Sequence, residues 1–380
     1  MKPDYAGGGL VNLMASIVAG RGGAPRHAPL ALLPPEKISP FRNLVLLIID
    51  GLGDGYLLRR GAGGELARRR RGAITSVFPP TTAAAITTSY TACTPLEHGL
   101  TGWYTFFGGA GCVSAALPFK SRGDDLSLRR RGFTPERAFV QPPLFGSLPL
   151  RSIVVTYKDI IDSDYNVRHC AGAERYAYET LDGLVLEIEK TIKSGPEQKF
   201  IYAYWPWYDT YSHRYGSESP QAFAELEKID AAFGRLLARL AGTDTLLVAT
   251  ADHGFVDSAP EESLELPALL ASQLRFPLCG ERRVAYCYVQ SEKDFLRQAK
   301  EHFGDRADVR PSRALVEEGW FGPGAAHPDF AERIGDVALV MRERYTIKDW
   351  TPGEARYLHI GNHGGVSEDE MMIPLITEAA

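Results

Sequence analysis

The sequence predicts an α/β fold: a mostly parallel central sheet sandwiched by helices, with an inserted cap subdomain. Three observations carry this. "NLVLLIID" (43–50), "RSIVVTY" (151–157), "KFIYAYW" (199–205) and "TLLVATAD" (245–252) are continuous apolar runs, as in strands buried on both faces. Stretches with apolar residues at helical spacing lie between them. The chain of 380 residues, 44% hydrophobic and 23% charged, is long enough for one large α/β domain with insertions.

Taken in order, "GGGLVNLMASIVAG" (7–20) comes first. It is apolar but short for a membrane span, and Asp4 follows Lys2 with no cleavage site. It reads as a core-packing helix of a cytoplasmic protein. The run 43–50 is the first strand. "ERYAYETLDGLVLEIEKTIKSG" (174–195) and "SPQAFAELEKIDAAFGRLLARLAG" (219–242) read as helices, the second opening at Ser-Pro and closing at Gly242.

Residues 104–150, rich in Gly, Pro and Arg, read as an irregular excursion. "RRVAYCYV", "SEKDFLRQAKEHF" and "GDVALVMRE" are a further strand, helix and strand. The catalytic core is expected over 1–256 and 336–380, with 257–335 as the inserted cap. "HIGNHGGVSEDEMMIPLI" returns the chain to an apolar strand.

Bulk charge narrows the function. A formal net charge of −5 offers no basic field for a nucleic-acid polymer or an anionic membrane. "LARRRRG" and "LRRRG" read as solvated surface. Five scattered cysteines form no CxxC pair, which fits a reducing compartment. Oligomeric state is not legible.

In open α/β sheets, ligands bind outside the carboxyl ends of the strands. Asp50 ends the first strand, Asp209 follows "KFIYAYWPWY", and Asp252 and His253 end "TLLVATADHG". His363 sits in the Gly-rich "IGNHGG". Asp209 and His213, four apart in "DTYSH", share one face of a helix. Alone, Asp50 or Asp252 before a glycine reads as a turn cap; jointly these residues read as metal ligands. Carboxylate with imidazole suits Zn²⁺, Mn²⁺ or Fe²⁺ rather than Ca²⁺ or Mg²⁺. Three Asp and three His exceed one tetrahedral ion and match two ions clamping an in-line displacement.

"VFPPTTAAAITTSYTACTPLEHGLTGW" (77–103) then acquires a role. After "FPP", Thr81 and Thr82 stand at a helix start, where free N–H groups and the positive dipole end suit a phosphate. A Thr hydroxyl is a poor nucleophile until a metal lowers its pKa. Thr82, touching one ion, is the candidate nucleophile, and the small residues behind it let the helix pack closely. Thr81 reads equally well as a plain cap.

The order Asp-Gly, "FPPTT", "DTYSH", "ADHG", "HGG" resembles the alkaline phosphatase superfamily, and within it the type I phosphodiesterase/nucleotide pyrophosphatase branch. The resemblance covers about 43–256 and about 330 to the end. It implies an alkaline phosphatase-like core. It also implies two metal sites, Asp209, His213 and His363 holding one ion, and Asp50, Asp252 and His253 the other, with Thr82 as covalent nucleophile. The ions expected are two divalent cations, Zn²⁺ first and Mn²⁺ second. The partner expected is a small phosphate ester, such as a nucleotide.

The sequence departs from that pattern at Ala85, where an Asn three residues after the nucleophile is expected. Phosphate oxygens would then fall to backbone N–H groups near Ala83 or to an insertion. Among nearby aromatics (Trp103, Tyr157, Trp205, Trp207, Tyr208, Tyr211), Tyr157 and Tyr211 are the ones assigned to substrate stacking, and core packing accounts for most of the others. His98 reads as helix-end structure and His359 as support for the ligands. His27, His169, His302 and His327 read as solvent or core residues. The rivals are a phosphomonoesterase on the same scaffold, a phosphomutase, and a catalytically silent binding module stapled by metal. A sulfatase is disfavoured, since neither CxPxR nor SxPxR occurs at the nucleophile.

Overall fold

A computed structural model describes residues 1–380. Its central sheet uses seven strands: β1 (Asn43–Ile49), β2 (Arg70–Thr75), β3 (Arg151–Tyr157), β4 (Glu174–Tyr178), β5 (Lys199–Trp205), β6 (Thr245–Thr250) and β7 (Met372–Ala379). Their spatial order is β2-β7-β6-β1-β5-β3-β4. From β6 to β4 every pairing is parallel, whereas β7 runs antiparallel to both β6 and β2. Every residue of β1, β5 and β6 is buried, which is why these segments read as unbroken apolar runs.

Five helices frame the sheet: α1 (Leu10–Gly20), α2 (Thr82–Thr91), α3 (Leu181–Lys193), α4 (Trp207–Tyr215) and α5 (Pro220–Leu240). On one face, Leu184 and Ile188 of α3 and Ile229 and Phe233 of α5 close over Leu47, Ile49 and Trp205. On the other lies α2, where Tyr90 packs 4.6 Å from Tyr202 and Ser89 shares a 2.8 Å hydrogen bond with the Tyr202 hydroxyl. Ala83, Ala84 and Ala85 are all fully buried. Smallness is therefore what lets α2 lie close to the sheet. The N-terminal segment 10–20 is the expected buried helix, and no helix is long and apolar enough to cross a membrane.

The chain departs from expectation in two places. Residues 174–178, read as the start of a helix, form the edge strand β4. Thr180 then accepts a hydrogen bond from Gly183 N and starts α3 at Leu181. The alternation of "ERYAY" places one side of an edge strand in water, so no apolar run marks it.

The second departure concerns the insertions. Tyr104–Phe107, Cys112–Ala115 and Lys120–Ser121, from the stretch read as irregular, join Cys279–Gly280, Val284–Cys287, Val337–Met341 and Ala307–Pro311 in one seven-stranded sheet. Both insertions thus form a single cap, and the strand at 337–341, expected with the core, lies inside that sheet. The seam is the pairing of Tyr104 with Gly280. A Cβ on Gly102 would lie 2.4 Å from Gly280 Cα, so the two backbones meet where no side chain fits. The cap is fastened to the core by Arg283, which donates to both carboxylate oxygens of Glu370 at 2.9 Å; the two side chains are 1% and 0% exposed.

Candidate active site

The site lies at the carboxyl edge of the parallel strands. β1 delivers Asp50 and β6 delivers Asp252 and His253. After β5, Pro206 turns the chain into α4, with Asp209 in its first turn and His213 one turn on. The loops after β1 and β6 are pressed together. A Cβ on Gly254 would meet the Asp369 carbonyl at 2.0 Å and Gly53 Cα at 2.9 Å. That contact leaves no room for a side chain at Gly53 or Gly254.

These residues converge. Asp209 Oδ1 lies 3.3 Å from His213 Nε2, 3.9 Å from His363 Nε2 and 4.0 Å from His253 Nε2. Asp50 Oδ1 and Asp252 Oδ2 stand 3.4 and 3.5 Å from His253 Nε2. Two ligand clusters result, Asp209–His213–His363 and Asp50–Asp209–His253, with Asp209 common to both. Asp252, grouped with Asp50 by resemblance, turns Oδ1 to the amides of Gly51 and His253, both at 3.0 Å.

Three features fit this donor set to divalent cations. Asp50 Oδ1, Asp209 Oδ1 and Asp252 Oδ2 are buried with no hydrogen-bond partner, an expensive state for a carboxylate. Each imidazole spends Nδ1 on a backbone carbonyl: His213 on Gly361 at 2.8 Å, His253 on Gly254 at 3.1 Å, His363 on Pro80 at 3.3 Å. Every Nε2 lone pair is thereby aimed at the centre. Finally, burial and the neighbouring carboxylates of Asp252 and Asp209 hold the Asp50 carboxyl well above the usual range. A cation relieves that crowding. The Tyr204 hydroxyl, which sequence reasoning missed, donates to Asp50 Oδ2.

Thr82 is the first residue of α2, and its Oγ1 lies 3.3 Å from His253 Nε2. The first α2 amide to bond backwards is Ala85 N, to Thr81 O, so the amides of Thr82, Ala83 and Ala84 have no backbone partner. They form the anion-binding end expected there. Thr81 is the cap by position only. Its hydroxyl donates instead to Glu281 Oε1 at 2.5 Å, an acceptor shared with Trp103 N at 2.7 Å. Ala85 belongs to the main hydrophobic core, so that position turns no polar group to the cleft.

A cleft of about 240 Å³ opens from Thr82, Asp209, His213 and His363 toward the cap. Tyr157 and Tyr211 do not line it. Tyr157 packs against Tyr178 and Trp207, and Tyr211 against Trp207 and Tyr215. The aromatic walls are Trp103, Tyr104 and Tyr357. His359 packs against His213 with centroids 4.3 Å apart and planes tilted by 46°. His98 stays a helix-end residue, held by Thr88 and Leu100. Glu281 and Arg282 were missed because they stand in the turn between the short strands 279–280 and 284–287, and Lys348 because it ends a three-residue strand; neither setting gives a periodic signal.

The profile of the type I phosphodiesterase / nucleotide pyrophosphatase family matches residues 127–365, more than half of the chain. Among solved structures, murine ectonucleotide pyrophosphatase / phosphodiesterase 5 superposes with a TM-score of 0.66 at 16% identity over 87% of each chain. Its inactive form in complex with AMP gives the same values. Phosphonoacetate hydrolase from Sinorhizobium meliloti 1021, in complex with phosphonoformate, gives 0.64 at 18% identity over 89% of this chain and 90% of its own. At these identities the likeness is one of fold. No curated protein sequence matches.

Proposed function

The chain belongs to the type I phosphodiesterase / nucleotide pyrophosphatase family, and from that premise we propose that this phosphate-ester hydrolase cleaves small phosphodiesters through Thr82. The observation that carries the reading is Thr82 Oγ1 standing at the free end of α2, 3.3 Å from His253 Nε2 and beside two carboxylate–imidazole clusters. Asp209, His213 and His363 would hold one divalent cation and Asp50, Asp252 and His253 the other, with Thr82 beside the second. Zn²⁺ suits these donors best and Mn²⁺ next. When bound, the two cations supply Lewis acidity that neutralises charge gathering on the phosphorus oxygens.

The chain's own residues do the rest. The amides at Thr82, Ala83 and Ala84 orient a phosphate oxygen. Thr82 Oγ1 forms a bond to phosphorus as the bond to the leaving alcohol breaks, giving a phospho-threonine ester. Water then cleaves that ester and restores the hydroxyl. Glu281, one residue from the nucleophile through Thr81, places negative charge at this end of the cleft. A monoanionic diester tolerates that charge better than a dianionic monoester.

The test compares p-nitrophenyl phosphate, bis-p-nitrophenyl phosphate and a nucleoside p-nitrophenyl phosphate, with Zn²⁺ or Mn²⁺, for wild type and Thr82→Ala. Diester turnover that disappears in the variant supports the reading. Monoester preference moves the protein to the phosphatase branch. Bound metal with no turnover of any ester favours a silent binding module.

A further inference from the structure

We propose that the cap end of the cleft is an anion subsite, in which Arg282 selects a diester whose second substituent carries an acidic group. The inference rests on the phosphodiesterase reading above and names the substrate class for it.

The argument is one of charge and position. Arg122, Arg282 and Lys348 line the same cleft as Thr82 and His363. Arg122 is 3% exposed and is paired with Asp349 at 2.8 Å and Glu354 at 2.9 Å. Lys348 is paired with Glu354 at 3.3 Å. Two carboxylates thus serve three cations, and Arg282 is left over. Its one hydrogen bond runs from Nη2 to the Tyr357 carbonyl at 3.3 Å. The neighbouring Glu281 turns Oε1 to Thr81 and Trp103 and forms no ion pair with Arg282.

Arg282 is half-buried, and a guanidinium in that setting without an anion is costly. Its planar fork matches a carboxylate or phosphate through two parallel hydrogen bonds. The path from the ligand cluster is continuous: His359 lies against His213 with ring centroids 4.3 Å apart and against the Tyr357 ring at 5.1 Å, and Arg282 Cζ stands 5.6 Å from the Tyr357 ring. A substrate held at Thr82 by its phosphodiester therefore extends along an aromatic wall toward a single unpaired cation.

The experiment uses three p-nitrophenyl phosphodiesters that share one leaving group and differ in the second substituent: 2-carboxyethyl, 2-phosphoethyl and the neutral 2-carbamoylethyl. Wild type is expected to prefer an acidic ester over the amide by about tenfold in kcat/KM, and the better acid identifies whether carboxylate or phosphate is the natural group. In Arg282→Gln the acid-to-amide ratio, read within one preparation, falls to about one. Equal rates in wild type, or an unchanged ratio in the variant, overturn the proposal. Calorimetric titration of Thr82→Ala with 3-phosphonopropanoate and its amide reads the preference without turnover. A preference there with no hydrolysis of any ester supports the subsite and sinks the nucleophile instead; equal binding sinks the subsite.

Discussion

The imidazole rings of His253 and His363 stack face to face, with centroids 3.7 Å apart and planes 17° from parallel. Each ring is pinned by Nδ1 to a backbone carbonyl. Burial, then the charges that His253 and His213 would carry, hold His363 well below the ordinary imidazole range. A neutral ring with its Nε2 lone pair fixed is a ligand prepared in advance, requiring no rotamer search when a cation arrives.

Removing one ring should therefore cost one ion. His363→Ala is expected to lose one equivalent of Zn²⁺ and Asp50→Ala the other, measured by elemental analysis after dialysis. Full metal content with full rate in His363→Ala would show that the two-site assignment is wrong.

The one hydrogen-bond partner of the Thr82 hydroxyl is His253 Nε2 at 3.3 Å, a residue of the site itself, so its removal bears on chemistry before stability. Thr82→Ala should lower kcat by about a thousandfold or more while metal content stays at the wild-type level. Thr82→Ser, which keeps the oxygen, should retain measurable turnover. Single-turnover burst kinetics on both variants provide the check.

Arg283 and Glu370 fasten the cap to the loop that carries His363. Gly365 N also donates to Glu370 Oε1 at 2.7 Å, and Ser367 Oγ to Oε2 at 2.6 Å. Arg283→Met leaves a buried carboxylate unpaired and should destabilise the protein by about 3–5 kcal/mol. Denaturant unfolding measures this, and a loss under about 1 kcal/mol would mean the pair contributes little.

The same pair sets a pH dependence. Burial raises the Glu370 carboxyl, but Arg283, Ser367 and the Gly365 amide outweigh it and hold the group below its usual 4.5. A carboxyl depressed by folding contributes stability above its unfolded value and loses it as pH falls through the folded value. The stability difference between wild type and Glu370→Gln should therefore be full at pH 7 and shrink progressively below about pH 4.5. A difference that stays constant down to pH 3 would contradict the assignment.

The core was legible because its physics is repetitive. Strands buried on both faces leave unbroken runs such as 43–49 and 199–205, and chemistry-bearing residues follow them at the sheet edge. Asp209 and His213 were paired by helical spacing alone, and α4 brings them to 3.3 Å. β4 escaped because an edge strand shows alternation in place of a run. Tyr157 and Tyr211 were misplaced for a related reason: an aromatic near a site in sequence has two faces to choose from, and both packed against neighbouring rings. The cap escaped because its strands are as short as Lys120–Ser121 and Cys279–Gly280. Two residues carry no period, and their partners lie far away in the chain.

The seam at Tyr104 and Gly280 bears on how this enzyme's selectivity can change. A cap encoded as one block can be exchanged between relatives as a cassette, by recombination or in the laboratory. Here the block is split across two distant stretches of the gene, and each supplies strands that the other needs. Transplanting either half alone leaves an open sheet edge facing the cleft. A change of cap therefore requires both stretches to move together, whereas point changes around the cleft leave the seam intact.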